Sequence, residues 1–226
     1  MKTLAAAFAI LALAAPAAFA HETETVNRTV AMPDGGTLDV KTFSGRVTIT
    51  ATDEPQVTVS AVRRGTRSQL DRVRLDVTTS GSTVYVDANH HDRASWRDNV
   101  VDTDLDIRVP RRTNLRITSF SAPVDVDGFD AKEVVAHTFS GRVEIRVSRW
   151  QDDERIDVKT FSGRVTLRVP DNASARVDFD SFSGHLDSEL PMTLHAAGRR
   201  NVSADLGTGR GTLRVHTFSG GLKIQR

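Results

Sequence analysis

One six-residue pattern recurs through this chain: Thr-Phe-Ser-Gly, then a variable residue, then an aliphatic one. Three copies read Thr-Phe-Ser-Gly-Arg-Val, and they begin at Thr42, Thr138 and Thr160. Looser copies begin at Ser119, Ser181 and Thr217. Such repetition is typical of chains built by stacking copies of one supersecondary unit. The pattern constrains the fold more than any other feature of the sequence.

The side-chain alternation changes phase inside each copy. Ahead of the first copy, Val40 and Thr42 occupy even positions, whereas Val47 and Ile49 behind it occupy odd positions. Because successive side chains of a strand point to opposite faces, one straight strand cannot place all four on the same side. A bend at the Ser-Gly pair removes the conflict, since glycine tolerates backbone conformations that other residues avoid. Each copy is therefore predicted to be a corner between two strands.

Runs of alternating apolar and polar residues surround the copies and predict strands. Pro110 and Pro170 end two of these runs, as expected of a residue that cannot donate a ladder hydrogen bond. Ser80-Gly81-Ser82 separates two runs and predicts a hairpin or a tight corner. No window of ten or more residues has a convincing 3.6-residue period, so the sequence predicts an all-β chain. The runs cover residues 38–42, 47–50, 57–62, 74–77, 83–87, 101–109, 115–117, 124–126, 143–147 and 165–169.

The copies recur at nearly regular intervals. Phe120 to Phe139 is 19 residues, Phe139 to Phe161 is 22, and Phe161 to Phe182 is 21, whereas the last interval, to Phe218, is 36. Periods near 20 fit one coil of a β-solenoid, in which coils stack through parallel ladders. We therefore predict a single-domain β-solenoid (β-helix) with Ser-Gly corners. A sandwich or jelly roll has no reason to repeat one corner six times.

Phenylalanine and glycine are the structural residues of the repeat. We expect the Phe side chains to fill the core at the corner, because six exposed Phe on an exported protein would promote aggregation. The alternative is an outward apolar stripe that binds a partner, since Phe43 has the parity of Lys41. The residues assigned this structural role are Phe43, Gly45, Phe120, Phe139, Gly141, Phe161, Gly163, Phe182, Gly184, Phe218 and Gly220.

Basic residues flank the corner on both sides. Stacked coils would align them into a stripe that could attract acidic glycans or anionic lipid headgroups. A solvated face that keeps a flat sheet soluble explains the same charges more simply. The column before the corner consists of Lys41, His137, Lys159 and His216, and the column after it of Arg46, Arg142, Arg164 and His185.

The first 20 residues have the pattern of a secretory signal peptide. Lys2 precedes an apolar stretch too short to span a bilayer, and Ala18-Phe19-Ala20 forms a cleavage site before His21. Residues 21–226 are then the mature domain, with no later transmembrane segment. The net charge is +1 for the full chain, and loss of Lys2 makes it zero. A near-neutral chain argues against nucleic acid as a partner.

Few residues are suited to catalysis or metal binding. The chain has no Cys and no Gly-x-Ser-x-Gly elbow. The His-His-Asp run at 90–92 could bind a metal, but adjacent side chains point apart on an extended chain. Asp102, Asp104 and Asp106 share one strand face, where calcium could bind, although a solvated outer face explains them more simply. We therefore predict no catalytic residue, no metal site and no cofactor.

The order of these motifs resembles the bacterial putative-adhesin family, exported domains of unknown function with repeated Thr-x-Ser-Gly-x-Val copies. Ile107-Arg108-Val109-Pro110 leading into Leu115-Arg116-Ile117 is similar to the family pattern. So is the Gly-rich turn at 205–209, followed by a strand and a last Ser-Gly corner. The resemblance covers 38–224 and implies an exported β-solenoid. It supplies no catalytic residue.

The predicted function is an exported, non-enzymatic binding or adhesion module of the cell envelope, in the periplasm or outside the cell. Its partner would be a surface glycan or another envelope protein. One alternative is a polysaccharide lyase or hydrolase on a β-helix, because some β-solenoids cleave acidic polysaccharides with Asp and Arg or Lys on one coil face. Another is a purely structural envelope protein without a ligand.

Overall fold

The computed structural model describes residues 21–91, 101–130 and 132–226. Within these ranges 67% of the residues are strand, and there is one six-residue helix. The predicted signal peptide lies outside the described residues. The strands are β1 Glu22–Ala31, β2 Thr37–Thr42, β3 Val47–Thr52, β4 Gln56–Gly65, β5 Val73–Ser80, β6 Thr83–His91, β7 Asp102–Pro110, β8 Asn114–Ser119, β9 Val124–Phe129, β10 Glu133–Ser140, β11 Val143–Val147, β12 Arg155–Ser162, β13 Val165–Arg168, β14 Ala175–Ser183, β15 Leu186–Ser188, β16 Met192–Ala197, β17 Asn201–Leu206, β18 Gly211–Ser219 and β19 Leu222–Gln225.

The strands form two long mixed sheets. Sheet A has nine strands in the order β1-β4-β7-β3-β9-β11-β13-β19-β15. Sheet B has ten strands in the order β16-β17-β14-β18-β12-β10-β8-β2-β6-β5. Antiparallel strands extend both ends of sheet B and the β1 end of sheet A, and the remaining strands of each sheet pair parallel. The all-β prediction is confirmed, and the architecture is solenoid-like.

Each copy of the repeat joins a strand of sheet B to a strand of sheet A. The joined pairs are β2–β3, β8–β9, β10–β11, β12–β13, β14–β15 and β18–β19, and they stack in register through parallel ladders. The stacking order follows the chain only for the first four copies. The C-terminal pair β18–β19 lies between β12–β13 and β14–β15. The expectation that copies stack in chain order is therefore wrong for the last two.

Aliphatic side chains fill the space between the sheets. In β2, Leu38 and Val40 are fully buried, and in β3 so are Val47 and Ile49. The phase change at the corner lets both strands point these residues into one core, which extends along the stack as a single cluster. Burying each such side chain contributes about 1.5–3 kcal/mol. The core is thus the consequence of the repeat.

The connection between β11 and β12 buries an aromatic and an acidic side chain. Trp150 is 9% exposed, and its indole N–H donates to a backbone carbonyl at 2.7 Å. Glu154 is 2% exposed, and one carboxylate oxygen accepts the backbone N–H of Gln151 at 3.2 Å. Burial raises the pKa of Glu154 to about 8, and the negative charge of Asp130 acts in the same direction.

Two local features test the strand assignments. The hairpin predicted at Gly81 is confirmed, since β5 and β6 pair antiparallel across it. Helix α1, Arg67–Arg72, was not predicted from the sequence. Its start carries a capping box in which Thr66 and Gln69 bond to each other's backbone N–H groups, so the Thr-x-x-Gln pattern was the available signal.

In the part of the chain that the structure describes, no helix has the length and apolar character to cross a bilayer.

Candidate functional site

The Ser-Gly corners stack so closely that no side chain fits at their glycines. A Cβ built on Gly163 would lie 2.0 Å from the carbonyl oxygen of Gly141. A Cβ on Gly220 would lie 1.9 Å from the carbonyl oxygen of Gly163. Real Cβ atoms do not approach backbone oxygens this closely, so glycine is required by the stacking of one corner on the next.

The residue at the start of each copy points inward. Thr42, Thr138, Thr160 and Thr217 are 6–8% exposed, and Ser119 and Ser181 occupy the same register. Hydroxyl side chains can satisfy backbone hydrogen-bonding groups. Thr42 does so by donating to the carbonyl of Ser44 at 3.2 Å. Within this column, the hydroxyl oxygens of Thr138, Thr160 and Thr217 have no hydrogen-bond partner among the described residues.

The Phe side chains point outward, and the prediction that they fill the core is wrong. Phe120, Phe139, Phe161, Phe182 and Phe218 are 45–53% exposed, and Phe43 is half-buried at one end of the column. The reason is the alternation of the strand. Phe follows the inward Thr or Ser directly, so it takes the opposite face. We call these six side chains the Phe column.

The rings of the Phe column stack face to face along the solenoid axis. The order is Phe43, Phe120, Phe139, Phe161, Phe218 and Phe182, with neighbouring centroids 4.6–5.0 Å apart. Neighbouring ring planes are parallel to within 9°. Each of the four inner rings therefore has a ring on both faces and presents its edge to solvent. At one end, the guanidinium carbon of Arg200 lies 4.3 Å from the centroid of the Phe182 ring.

The column of basic residues before the corner is present but is not continuous. We call it the Lys/His column, and its members are exposed. Thr118 lies between Lys41 and His137, so the contiguous bases are His137, Lys159 and His216. Asp180 follows His216 in the register, and their Oδ2 and Nδ1 atoms are 3.1 Å apart.

The column after the corner is also interrupted. We call it the Arg column; in stacking order its positions are Arg46, Pro123, Arg142, Arg164, Gly221 and His185. The side chains of the four basic members are exposed. Arg142 lies 3.4 Å from a carboxylate oxygen of Asp125. The Phe column thus has cations on both sides, although neither flank is a continuous stripe.

A shallow open groove of ≈ 790 Å³ runs between the Phe column and the Lys/His column. Its floor includes the backbone of the inward Thr residues, and Arg200 closes one end. Arg200 belongs to the turn between β16 and β17, and its carbonyl accepts the N–H of Ser181 at 2.8 Å. The sequence analysis missed Arg200 and Asp180. Nothing local in the sequence brings Arg200 to the repeat, because the contact depends on how the β16–β17 hairpin extends sheet B.

The acidic residues singled out in the sequence lie outside this groove. Asp102 and Asp106 are exposed on β7, and Asp104 pairs with Arg64 at 2.7 Å. Asp92 lies outside the described residues, and the side chains of His90 and His91 are not described. Across residues 21–91, 101–130 and 132–226, no group of three or more His, Cys, Asp or Glu side chains could hold a metal ion.

Comparison with known proteins identifies the family. Residues 99–225, more than half of the chain, match Toastrack DUF4097. The chain belongs to this family. The resemblance to the putative-adhesin family that the Ser-Gly motifs predicted is thereby confirmed. No curated protein is significantly similar to the chain in sequence.

Solved structures are similar to the chain at low sequence identity. A putative cell adhesion protein from Clostridium sporogenes superposes with a TM-score of 0.64 and 11% identity, over 89% of this chain and 99% of that one. A putative adhesin from Bacteroides fragilis aligns with a TM-score of 0.38 and 10% identity, over 89% of this chain and 97% of its own. At such identities the first similarity shows the fold alone.

Proposed function

We propose that this Toastrack chain is an exported, non-enzymatic binding module of the bacterial cell envelope. The binding surface is the face of sheet B that carries the Phe column, the groove beside it and the flanking cations. Residues 1–20 act as the signal peptide. The mature domain, 21–226, uses coils of about 20 residues, which repeat the Ser-Gly corner, to present the surface.

The observation that carries this proposal is the exposure of the Phe column. Five of its rings are 45–53% exposed, and all six stack on one another in one line. A contiguous apolar surface rimmed by polar residues marks an interaction site on a soluble protein. The packing of the core does not require an aromatic side chain at an outward position. Six identical aromatic side chains there therefore favour a binding role over a purely structural one. The Clostridium sporogenes protein, described as a putative cell adhesion protein, is consistent with this role.

The test is the doubly substituted protein Phe139→Ser with Phe161→Ser, assayed for sedimentation with purified bacterial cell envelopes. We expect folding to persist, because both rings are about half exposed, and envelope binding to be lost. Leu194→Ser is the matched control, since it removes an exposed apolar side chain, 61% exposed, outside the Phe column. Circular dichroism melting establishes the fold of each variant. Equal binding by the double variant and the wild type would refute the proposal.

A second candidate function, cleavage of an acidic polysaccharide, is favoured by one contact. His216 Nδ1 is 3.1 Å from Asp180 Oδ2, and Lys159 occupies the next register position in the same groove. A carboxylate that orients an imidazole prepares it to act as a general base. Incubation of the protein with polygalacturonate and alginate, followed by ultraviolet detection of new unsaturated ends, tests this function. If the protein forms product and His216→Gln abolishes its formation, catalysis replaces binding as the proposed function. If neither polymer yields product, this candidate function is refuted.

A further inference from the structure

We propose that the partner of the Phe column is the surface of an anionic phospholipid bilayer, with the ring edges inserted among the acyl chains and the flanking cations on the headgroup phosphates. This inference rests on the proposed function and names the ligand class of the same site. Three observations carry it: the orientation of the rings, the distribution of unpaired cations and the straightness of the column.

The ring orientation disfavours a sugar and favours acyl chains. Carbohydrates bind aromatic side chains through the ring faces, where the π electrons are accessible. In the Phe column the faces of Phe120, Phe139, Phe161 and Phe218 are covered by neighbouring rings. At one terminus, Arg200 covers the outer face of Phe182. What these five rings leave exposed is a line of C–H edges, an apolar surface without the faces that a glycan needs.

Within the described residues, three of the four members of the Lys/His column lack an acidic partner, whereas His216 pairs with Asp180. Among residues 21–91, 101–130 and 132–226, no carboxylate forms an ion pair with Lys41, Lys159 or His137. On the outer face of sheet A, by contrast, Arg146 pairs with Asp127 at 2.9 Å and Arg168 pairs with Glu144 at 2.8 Å.

Two members of the Arg column show the same lack of partners. Within the described ranges, neither Arg46 nor Arg164 has an ion pair. Unpaired positive charge therefore lies on both sides of an apolar line. This arrangement complements a surface that is apolar inside and negatively charged at its boundary.

The column is straight because its members occupy one register position on parallel strands. Neighbouring ring centroids are 4.6–5.0 Å apart along the whole column, and neighbouring ring planes are parallel to within 9°. The six rings can therefore contact one planar interface together. Insertion of an aromatic and aliphatic face to the boundary of headgroups and acyl chains is the mode of interfacial binding known for amphipathic surfaces.

The experiment measures sedimentation of the protein with large unilamellar vesicles. The protein is purified after export from cells that express the full chain. One set of vesicles contains phosphatidylcholine with about 30% phosphatidylglycerol, and the other contains phosphatidylcholine alone. We expect binding to the anionic vesicles that is at least ~10-fold stronger than to the neutral ones and that weakens as salt is added.

Variants locate the contact. Phe139→Ser with Phe161→Ser should lower the partition coefficient for anionic vesicles at least ~10-fold, through loss of inserted apolar surface. Lys159→Gln should lower it about five-fold, the effect expected of one cation near an anionic surface. The controls are Leu194→Ser and Lys132→Gln. Lys132 precedes β10 at the opposite end from Phe139 and pairs with Asp153 at 3.1 Å, so neither control should change binding by more than about two-fold.

The outcomes separate this inference from the proposed function. If the protein does not bind anionic vesicles but still shows Phe-dependent binding to envelopes, the bilayer is not the partner. The proposed binding surface then stands. Vesicle binding that the double Phe variant does not weaken also overturns it, because the contact then lies elsewhere. Phe-dependent dimers in sedimentation velocity, without vesicle binding, would identify a second copy of the chain as the partner. If the double Phe variant retains both vesicle binding and envelope binding, both proposals are refuted.

Discussion

At the scale of single residues, the corner glycines and the outward Phe depend on different constraints. Gly163 is fixed by the backbone of the neighbouring corner, which leaves no volume for a Cβ atom. Phe161, two residues earlier, points to solvent and has only ring neighbours. Substitution of the first should therefore affect stability, and substitution of the second should affect binding.

We predict that Gly163→Ala destabilises the protein by more than about 3 kcal/mol, because the new Cβ would lie 2.0 Å from the carbonyl oxygen of Gly141 and the corners must separate. Urea denaturation followed by circular dichroism measures the change. Gly81→Ala is the control. Gly81 has φ +59° and no atom within 4 Å of a built Cβ, so its substitution should cost only the ~1 kcal/mol of a left-handed conformation. Equal destabilisation by the two substitutions would contradict the close stacking of the corners.

At the scale of elements, the C-terminal copy holds the stack together. Strand β18 pairs with β12 on one side and with β14 on the other, and β19 pairs with β13 and β15. Both strands form these ladders with chain segments that precede them. Residues 211–225 therefore lie in the interior of both sheets rather than at an edge, and β14–β15 reaches the rest of the solenoid through them.

Removal of residues 211–226 should prevent cooperative folding, because it deletes one strand from the interior of each sheet and separates β14–β15 from β12–β13. Soluble yield and the thermal unfolding curve measure the effect. Removal of β1, Glu22–Ala31, is the comparison, since β1 is an edge strand that pairs only with β4 and is mostly exposed. We expect this second deletion to lower the melting temperature and to keep a cooperative transition. A cooperative transition in both would show that the C-terminal copy is not required.

At the scale of the whole molecule, the protonation of one buried acid, Glu154, makes the free energy of unfolding depend on pH. Burial raises the pKa of Glu154 to about 8, and the charges of Asp130 and Asp153 raise it further, against the hydrogen bond from the Gln151 backbone. The ordinary value for this side chain is 4.5. Between these two pH values the unfolded chain loses the proton and the folded chain keeps it. The free energy of unfolding should therefore fall as pH rises from about 4.5 to about 8, and change no further above that.

We predict that Glu154→Gln removes this fall and makes the protein more stable than the wild type at pH 8. The difference should be on the order of 4 kcal/mol, since each pKa unit corresponds to about 1.4 kcal/mol. Melting temperatures measured from pH 5 to pH 8 test the prediction. Asp53→Asn serves as the control: a hydrogen bond from Arg111 on the exposed surface lowers the pKa of Asp53, so its titration lies below this range. A wild-type profile that is flat or rises with pH would contradict the assignment.

Much of the fold could be predicted because the signals are local. Alternation located β2, β3 and β7, proline marked strand ends, and the phase change at Ser-Gly placed a corner in each copy. The same alternation also predicts the direction of the Phe side chains, because each Phe directly follows an inward Thr or Ser. We instead expected the rings to be buried, because exposed aromatic side chains are generally avoided. The alternation of the strand nevertheless determines which face of the sheet each side chain occupies.

The sequence by itself determined the repeat, the corners, the inward aliphatic residues and the presence of cations near each corner. All of these depend on the spacing of residues along one or two strands. The tertiary structure alone decided the order of the stack, and with it which residues are neighbours. Because β18–β19 enters between earlier copies, His216 lies beside Lys159 and Asp180, and Phe218 lies between Phe161 and Phe182. The β16–β17 hairpin brought Arg200 to the end of the column, a contact set by sheet pairing between distant segments rather than by any local pattern.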